Sequence, residues 1–113
     1  MTTVKINPGV CGFLTRVTAQ ASEDDEQELT VRVTSGCKAV QAMMAELGET
    51  FDAYEVCLVK PGKGPLFAYA SEHFPVHVGC PVLAGITKCM EVEAGLALKH
   101  DAEIRFVDDA PEQ

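Results

Sequence analysis

Cys11, Cys37 and Cys80 each adjoin a glycine, in the strings Val10-Cys11-Gly12-Phe13, Ser35-Gly36-Cys37-Lys38 and Val78-Gly79-Cys80-Pro81. Each string falls where an irregular segment meets a regular element expected from the pattern that follows it. Glycine frees the backbone to turn a neighbouring side chain outward. A helix N-terminus, with its dipole and free N–H groups, favours a thiolate. Exposed thiolates select soft cargo, zinc and iron–sulfur clusters above all, and are the cysteines that react. The three are separated by 26 and 43 residues, and the chain has no C-x-x-C pair. A zinc ribbon or thioredoxin-type site is therefore disfavoured, and a shared site has to be assembled from three distant stretches. Sulfurs bound at about 2.3 Å to one tetrahedral metal stand within about 4 Å of one another.

The remaining candidates are weaker. Cys57 lies between Val56 and Leu58, where a buried strand residue is expected, and it is the reserve ligand. Cys89 shares an apolar stripe with Ile86 and Met90 and reads as core. His77 alternates with Val76 and Val78 as the outward residue of a half-buried strand, yet neutral imidazole is also a zinc donor. His73 and His100 carry no supporting pattern. Lys60-Pro61-Gly62-Lys63-Gly64 lacks the spacing of a P-loop and reads as a solvated turn. Met43 and Met44 read as packing residues.

The elements that must position these residues follow from periodicity. After the turn former Asn7-Pro8-Gly9, residues 13–19 read as a strand, the polar run 22–28 as a connector, and 29–34, with its period of two, as the second strand of an antiparallel hairpin. Ala39, Val40, Met43, Met44 and Leu47 make a helical stripe that opens at Cys37 and stops at Gly48. Residues 54–59 read as a short strand, 60–65 as a loop and 66–74 as one or two helical turns begun by Pro65. Residues 75–78 read as extended. A helix is then expected from Cys80, at its N-cap, to about Leu98, with Val82, Leu83, Ile86, Cys89, Met90, Ala94 and Ala97 inward. Residues 103–107 alternate as a last strand before the acidic tail, 108–113. The expected architecture is α+β, an antiparallel sheet with helices packed on one face, in a single domain spanning 1–113.

Cys11-Gly12 before a strand, Thr34-Ser35-Gly36-Cys37 at a helix start, and Pro75 to Cys80 followed by Pro81-Val82-Leu83-Ala84 resemble, in order and interval, the IscU/NifU N-terminal family of iron–sulfur cluster scaffolds. The likeness covers about residues 8 to 98, with 48–74 similar in rhythm only. It implies a SufE/IscU-like fold in which Cys11, Cys37 and Cys80 converge and hold a [2Fe–2S] cluster or Zn2+, or accept sulfur as a persulfide. It also implies a non-enzymatic role and a cysteine desulfurase or other sulfur-handling protein as partner. The family's aspartate after C-G is Phe13 here, and its histidine before the third cysteine is Gly79. Three thiolates thus remain where a tetrahedral site takes four donors, with Cys57, His77, a water or a partner's group the candidates for the fourth. Phe13 in place of aspartate implies a drier site that releases its cluster more slowly. The family's chaperone-recognition string L-P-P-V-K reads His73-Phe74-Pro75-Val76-His77, retaining only Pro-Val. The alternatives are a metal-free interaction or regulatory module on the same fold, or a thiol or persulfide sulfur-transfer protein.

Composition narrows the classes further. The 113 residues are 47% hydrophobic and 23% charged, with a formal net charge of −8, so the chain is of ordinary globular type and its field repels phosphate backbones. Nucleic acid is excluded as a partner on that ground. No apolar run approaches the roughly 18 to 20 residues a bilayer span needs, and the first residues lack a signal-peptide core. Five cysteines in such a chain point to a reducing, cytoplasmic compartment with no membrane contact.

Overall fold

Alternation of period two runs through the first third of the chain and yields three antiparallel strands: β1 (Thr2–Ile6), β2 (Thr15–Ala21) and β3 (Glu28–Ser35). The computed structural model describes residues 1–109, so the acidic tail expected at 108–113 lies outside the described residues from Ala110 onward. A short β4 (Thr50–Asp52) completes the sheet, in the order β1-β2-β3-β4 with every neighbouring pair antiparallel. Val4 lies opposite Val17 and Val17 opposite Val33, Ala19 opposite Val31, and Leu29 opposite Phe51. One face is therefore apolar and buried, while Lys5, Arg16, Gln20, Thr30, Arg32 and Thr34 lie exposed on the other.

Four helices cover the apolar face: α1 (Lys38–Leu47), α2 (Ala53–Cys57), α3 (Gly64–His73) and α4 (Val82–Glu93). Val40 and Met43 from α1, Leu66 from α3, and Val82, Ile86, Cys89 and Met90 from α4 are the buried side chains that close the core over Val17, Ala19, Leu29 and Val31. The architecture is the expected α+β, an antiparallel sheet with its helices on one face. Burying each large aliphatic side chain contributes about 1.5–3 kcal/mol. An exposed ion pair such as Arg32–Glu49, 3.8 Å apart, contributes about 0–1 kcal/mol. The core, not the surface charge, holds the molecule together.

Two contacts fix how α4 crosses the sheet. At Gly85 a Cβ would collide with Ile6 Cδ1, so the missing side chain lets the start of α4 settle onto the end of β1. At the other end, Glu93 Oε1 accepts the Thr2 hydroxyl at 2.7 Å, and Oε2 accepts the Ala21 N–H at 2.9 Å. The amino terminus is 3.5 Å away. Burial alone raises this carboxyl's pKa, but the Ala21 and Thr2 hydrogen bonds and the terminal ammonium outweigh it and hold the pKa below the ordinary value.

Several sequence expectations differ from the observed elements. Thr2–Ile6, a stretch with no element expected from the sequence, is the edge strand β1. Residues 54–59, expected as a strand, fall partly within α2, because Asp52 Oδ1 accepts the N–H groups of Tyr54 (2.9 Å) and Glu55 (3.4 Å) and turns the chain into a helix. The last helix begins at Val82 with Pro81 at its N-cap, so Cys80 sits just ahead of it. It ends at Glu93 rather than near Leu98: Gly95 is left-handed (φ 76°), Leu96 N–H donates to Glu91 C=O (2.8 Å) and Gly95 N–H to Val92 C=O (3.1 Å), a Schellman closure. Residues 103–107 form no strand; they run irregular and exposed, with no sheet partner. Among the described residues no helix is long and apolar enough to cross a membrane.

Candidate cysteine site

Cys11 lies in the connection between β1 and β2, a loop shaped by its own polar groups. Asn7 Oδ1 accepts the Gly9 N–H (3.0 Å), Gly9 C=O accepts the Gly12 N–H (2.9 Å), and Gly12 C=O accepts the Leu14 N–H (3.0 Å). Gly9 and Gly12 take φ of 98° and 72°, a backbone that side chains disfavour. Cys11 is exposed at the tip beside a fully exposed Val10.

Cys37 is the N-cap residue of α1, with φ −81° and ψ 121°, and its side chain makes no capping hydrogen bond. The sulfur is therefore not occupied by the helix end. Its backbone N–H donates to Ser35 Oγ at 3.1 Å, Thr15 Oγ1 bonds the same hydroxyl at 2.8 Å, and Gln41 Nε2 donates to Ser35 C=O at 2.6 Å. Thr15 and Ser35 are buried partners across β2 and β3, so the residue that carries Cys37 is anchored in the sheet. Neither stands out in the sequence as a functional residue; their signal is the inward phase of the two strands.

Cys80 ends the irregular segment between α3 and α4, and its N–H lies 3.5 Å from the His77 carbonyl, closing a turn. Like Cys37 it is half-buried against the core. Val76 and Val78 are fully exposed and His77 is exposed, so the segment is not the half-buried strand expected.

The β1–β2 loop and the β3–α1 junction leave the sheet at the same end, and the start of α4 lies over that end. Ile6 pairs with Thr15 and Thr15 with Ser35 in the terminal row of the register. The start of α4 rests on Ile6 through Gly85, and the Phe13 ring lies over Gly36, where a Cβ would come within 3.1 Å of Phe13 Cδ1. Phe13, where the resemblance has an aspartate, thus packs the Cys11 loop against the residue preceding Cys37. Among the described residues no three His, Cys, Asp or Glu side chains stand together as a metal-holding group in this conformation.

The other two thiols are held elsewhere. Cys57 is on α2, where its Sγ lies 3.9 Å from the Thr87 carbonyl; burial, with Glu91 nearby, pushes its pKa up to about 11. Cys89 is fully buried, with Sγ 3.3 Å from Thr2 C=O, and burial raises its pKa to about 11 as well. Both are protonated at neutral pH. His73 stacks on Tyr69 with ring centroids 4.3 Å apart, and His100 Nδ1 lies 3.2 Å from the Asp101 carbonyl.

A family model described as a family of unknown function, DUF6951, matches residues 2–106, and the chain belongs to that family. No curated protein and no solved structure matches it.

Proposed function

We propose that this member of the DUF6951 family is a non-enzymatic, cytoplasmic carrier of soft metal cargo, related to the IscU/NifU scaffolds, that holds a [2Fe–2S] cluster or Zn2+ through Cys11, Cys37 and Cys80. The observation that carries the reading is the delivery of one thiol from each of three separate connections to one end of the sheet. The donor set suits the cargo, since thiolates select zinc and iron–sulfur clusters over hard cations. Cys37 and Cys80 are anchored by the core, and Cys11 rides an exposed loop, so assembly of the site is a closure of that loop onto the other two. His77 is the better fourth donor: it is exposed within the turn that ends at Cys80, whereas Cys57 is protonated and bonded to Thr87. A cysteine desulfurase or another sulfur-handling protein is the partner this role requires.

The exposure of Cys11 and the separation of the thiols in this conformation favour a second reading, a sulfur carrier. In that case the Cys11 thiolate attacks the outer sulfur of a donor persulfide, the donor S–S bond breaks, the donor leaves as a thiolate, and Cys11 keeps the transferred sulfur.

Anaerobic purification and reconstitution with iron and sulfide, or with zinc, separates the two. The carrier reading predicts stoichiometric metal that is lost when Cys11, Cys37 and Cys80 are changed to serine and retained in Cys57→Ser. Wild-type protein that stays metal-free after reconstitution overturns it. A gain of one sulfur atom at Cys11 by mass spectrometry, in metal-free protein, supports the second.

A further inference from the structure

A cleft of about 700 Å3 runs between β1, the outer side of α4 and the irregular segment 99–104. Its size is that of an ordinary small-molecule site. The chain carries nine Lys and Arg side chains and a net charge of −8, yet four of the nine, Lys5, Arg16, Lys88 and Lys99, line this one cleft. His100 joins them there, and among the described residues Asp101 and Glu103 are the cleft's only acidic lining residues. Glu103 is paired with Arg105. Among the described residues none of the four cations has a carboxylate within 4.0 Å.

The sheet register sharpens the point. Lys5 lies directly opposite Arg16 on the exposed face, and like charges directly opposed across a strand pair destabilise a sheet. A lysine on an edge strand is a common guard against edge-to-edge aggregation. That accounts for Lys5 alone, since Arg16 stands on the interior strand β2 and Lys88 and Lys99 on other elements. Local rules are broken at sites of function and compensated elsewhere. Apolar surface is also at hand, because Val92 and Ile104 line the same cleft.

We propose that this cleft binds a small organic anion carrying at least two negative charges, held by the cations that line it, Lys5 and Arg16 from the sheet side and Lys88 and Lys99 from the α4 side. The site is distinct from the three cysteines and stands whether or not they bind metal.

The test is equilibrium titration of the full chain by calorimetry at about 0.15 M salt, where exposed charges more than about 8 Å apart are largely screened. ADP is the phosphate probe and citrate the carboxylate probe. Saturable binding of either is expected, and which one saturates identifies the anion. The Lys5→Gln, Arg16→Gln double variant is expected to weaken it by about tenfold or more. Lys60→Gln with Lys63→Gln, on the loop before α3, should leave it unchanged. Without ligand the first double variant is expected to melt at or above the wild-type temperature, since it relieves a repulsion. Failure of both probes to saturate overturns the proposal. So does equal binding by the Lys5/Arg16 variant, an equal loss in the Lys60/Lys63 variant, or a lower melting temperature of unliganded Lys5/Arg16 protein, which marks a structural pair.

Discussion

At the scale of residues, the five cysteines divide by environment rather than by sequence string. Cys11 is exposed, Cys37 and Cys80 are half-buried, and Cys57 and Cys89 are thiols whose pKa burial has pushed up to about 11. Alkylation by iodoacetamide on the native protein at pH 7.5 or so should therefore label Cys11 first and Cys89 last, read by peptide mass spectrometry; early labelling of Cys89 contradicts the burial. Glu93 gives a second residue-level expectation. Its folded pKa is depressed, so its contribution is full above the unfolded carboxylate's value of about 4.3 and is lost as pH falls through the folded value. Glu93→Gln removes charge-assisted bonds from Thr2 and Ala21 and should cost about 1–3 kcal/mol at neutral pH. The deficit should shrink toward acid, a trend that urea melts across pH can follow. The cysteine strings were legible because glycine and element boundaries are local signals. Whether their sulfurs meet was not, because it depends on the Asn7–Gly9 turn and on Phe13 packing over Gly36, contacts made only after the strands pair.

At the scale of elements, the fold is legible in the sequence where one periodicity dominates and not where a single side chain overrides it. The stripe Val40, Met43 and the stripe Val82, Ile86, Cys89, Met90 are buried as their spacing implied. Thr2–Ile6 carries the same alternation as β3 but is only five residues long, too short to stand out beside a chain start. Tyr54–Val59 has strand composition, and one carboxylate, Asp52, converts its first half to helix. Gln27 Nε2 holds that carboxylate at 2.9 and 2.7 Å from its two oxygens. Asp52→Ala should then cost about 0.5–2 kcal/mol, measured by thermal unfolding, and a neutral result would mean α2 needs no cap. Gly85→Ala raises helix propensity by about 1 kcal/mol, but its Cβ collides with Ile6. The net effect expected is destabilisation, since overpacking costs about 1–3 kcal/mol. Adding Ile6→Ala to Gly85→Ala should cost less than Ile6→Ala costs alone in the wild type, the signature of coupled contacts.

At the scale of the whole molecule, the topology does two things at once. A meander of strands with helices on one face puts the β1–β2 loop, the β3–α1 junction and the approach to α4 at one end of the sheet, each with a cysteine. It also leaves β1 as an edge strand, with residues 99–107 beside or beyond it unpaired and a cationic cleft between. Strand-like alternation in 103–107 did not suffice to add a strand, because Ile104, Phe106 and Val107 lie exposed with no apolar face to cover. Residues 26 and 43 positions apart in sequence become neighbours in topology without yet forming a ligand group, and the claim that they share one site rests on loop closure. Titration of the reduced protein with cobalt(II) under anaerobic conditions tests that claim most directly, because sulfur-to-cobalt charge-transfer absorption reports thiolates bound to one tetrahedral ion. The expected result is saturation at one cobalt per chain, with the band weakened in each of Cys11→Ser, Cys37→Ser and Cys80→Ser and unchanged in Cys57→Ser. No charge-transfer band in the wild type, or a band that survives all three single substitutions, contradicts it.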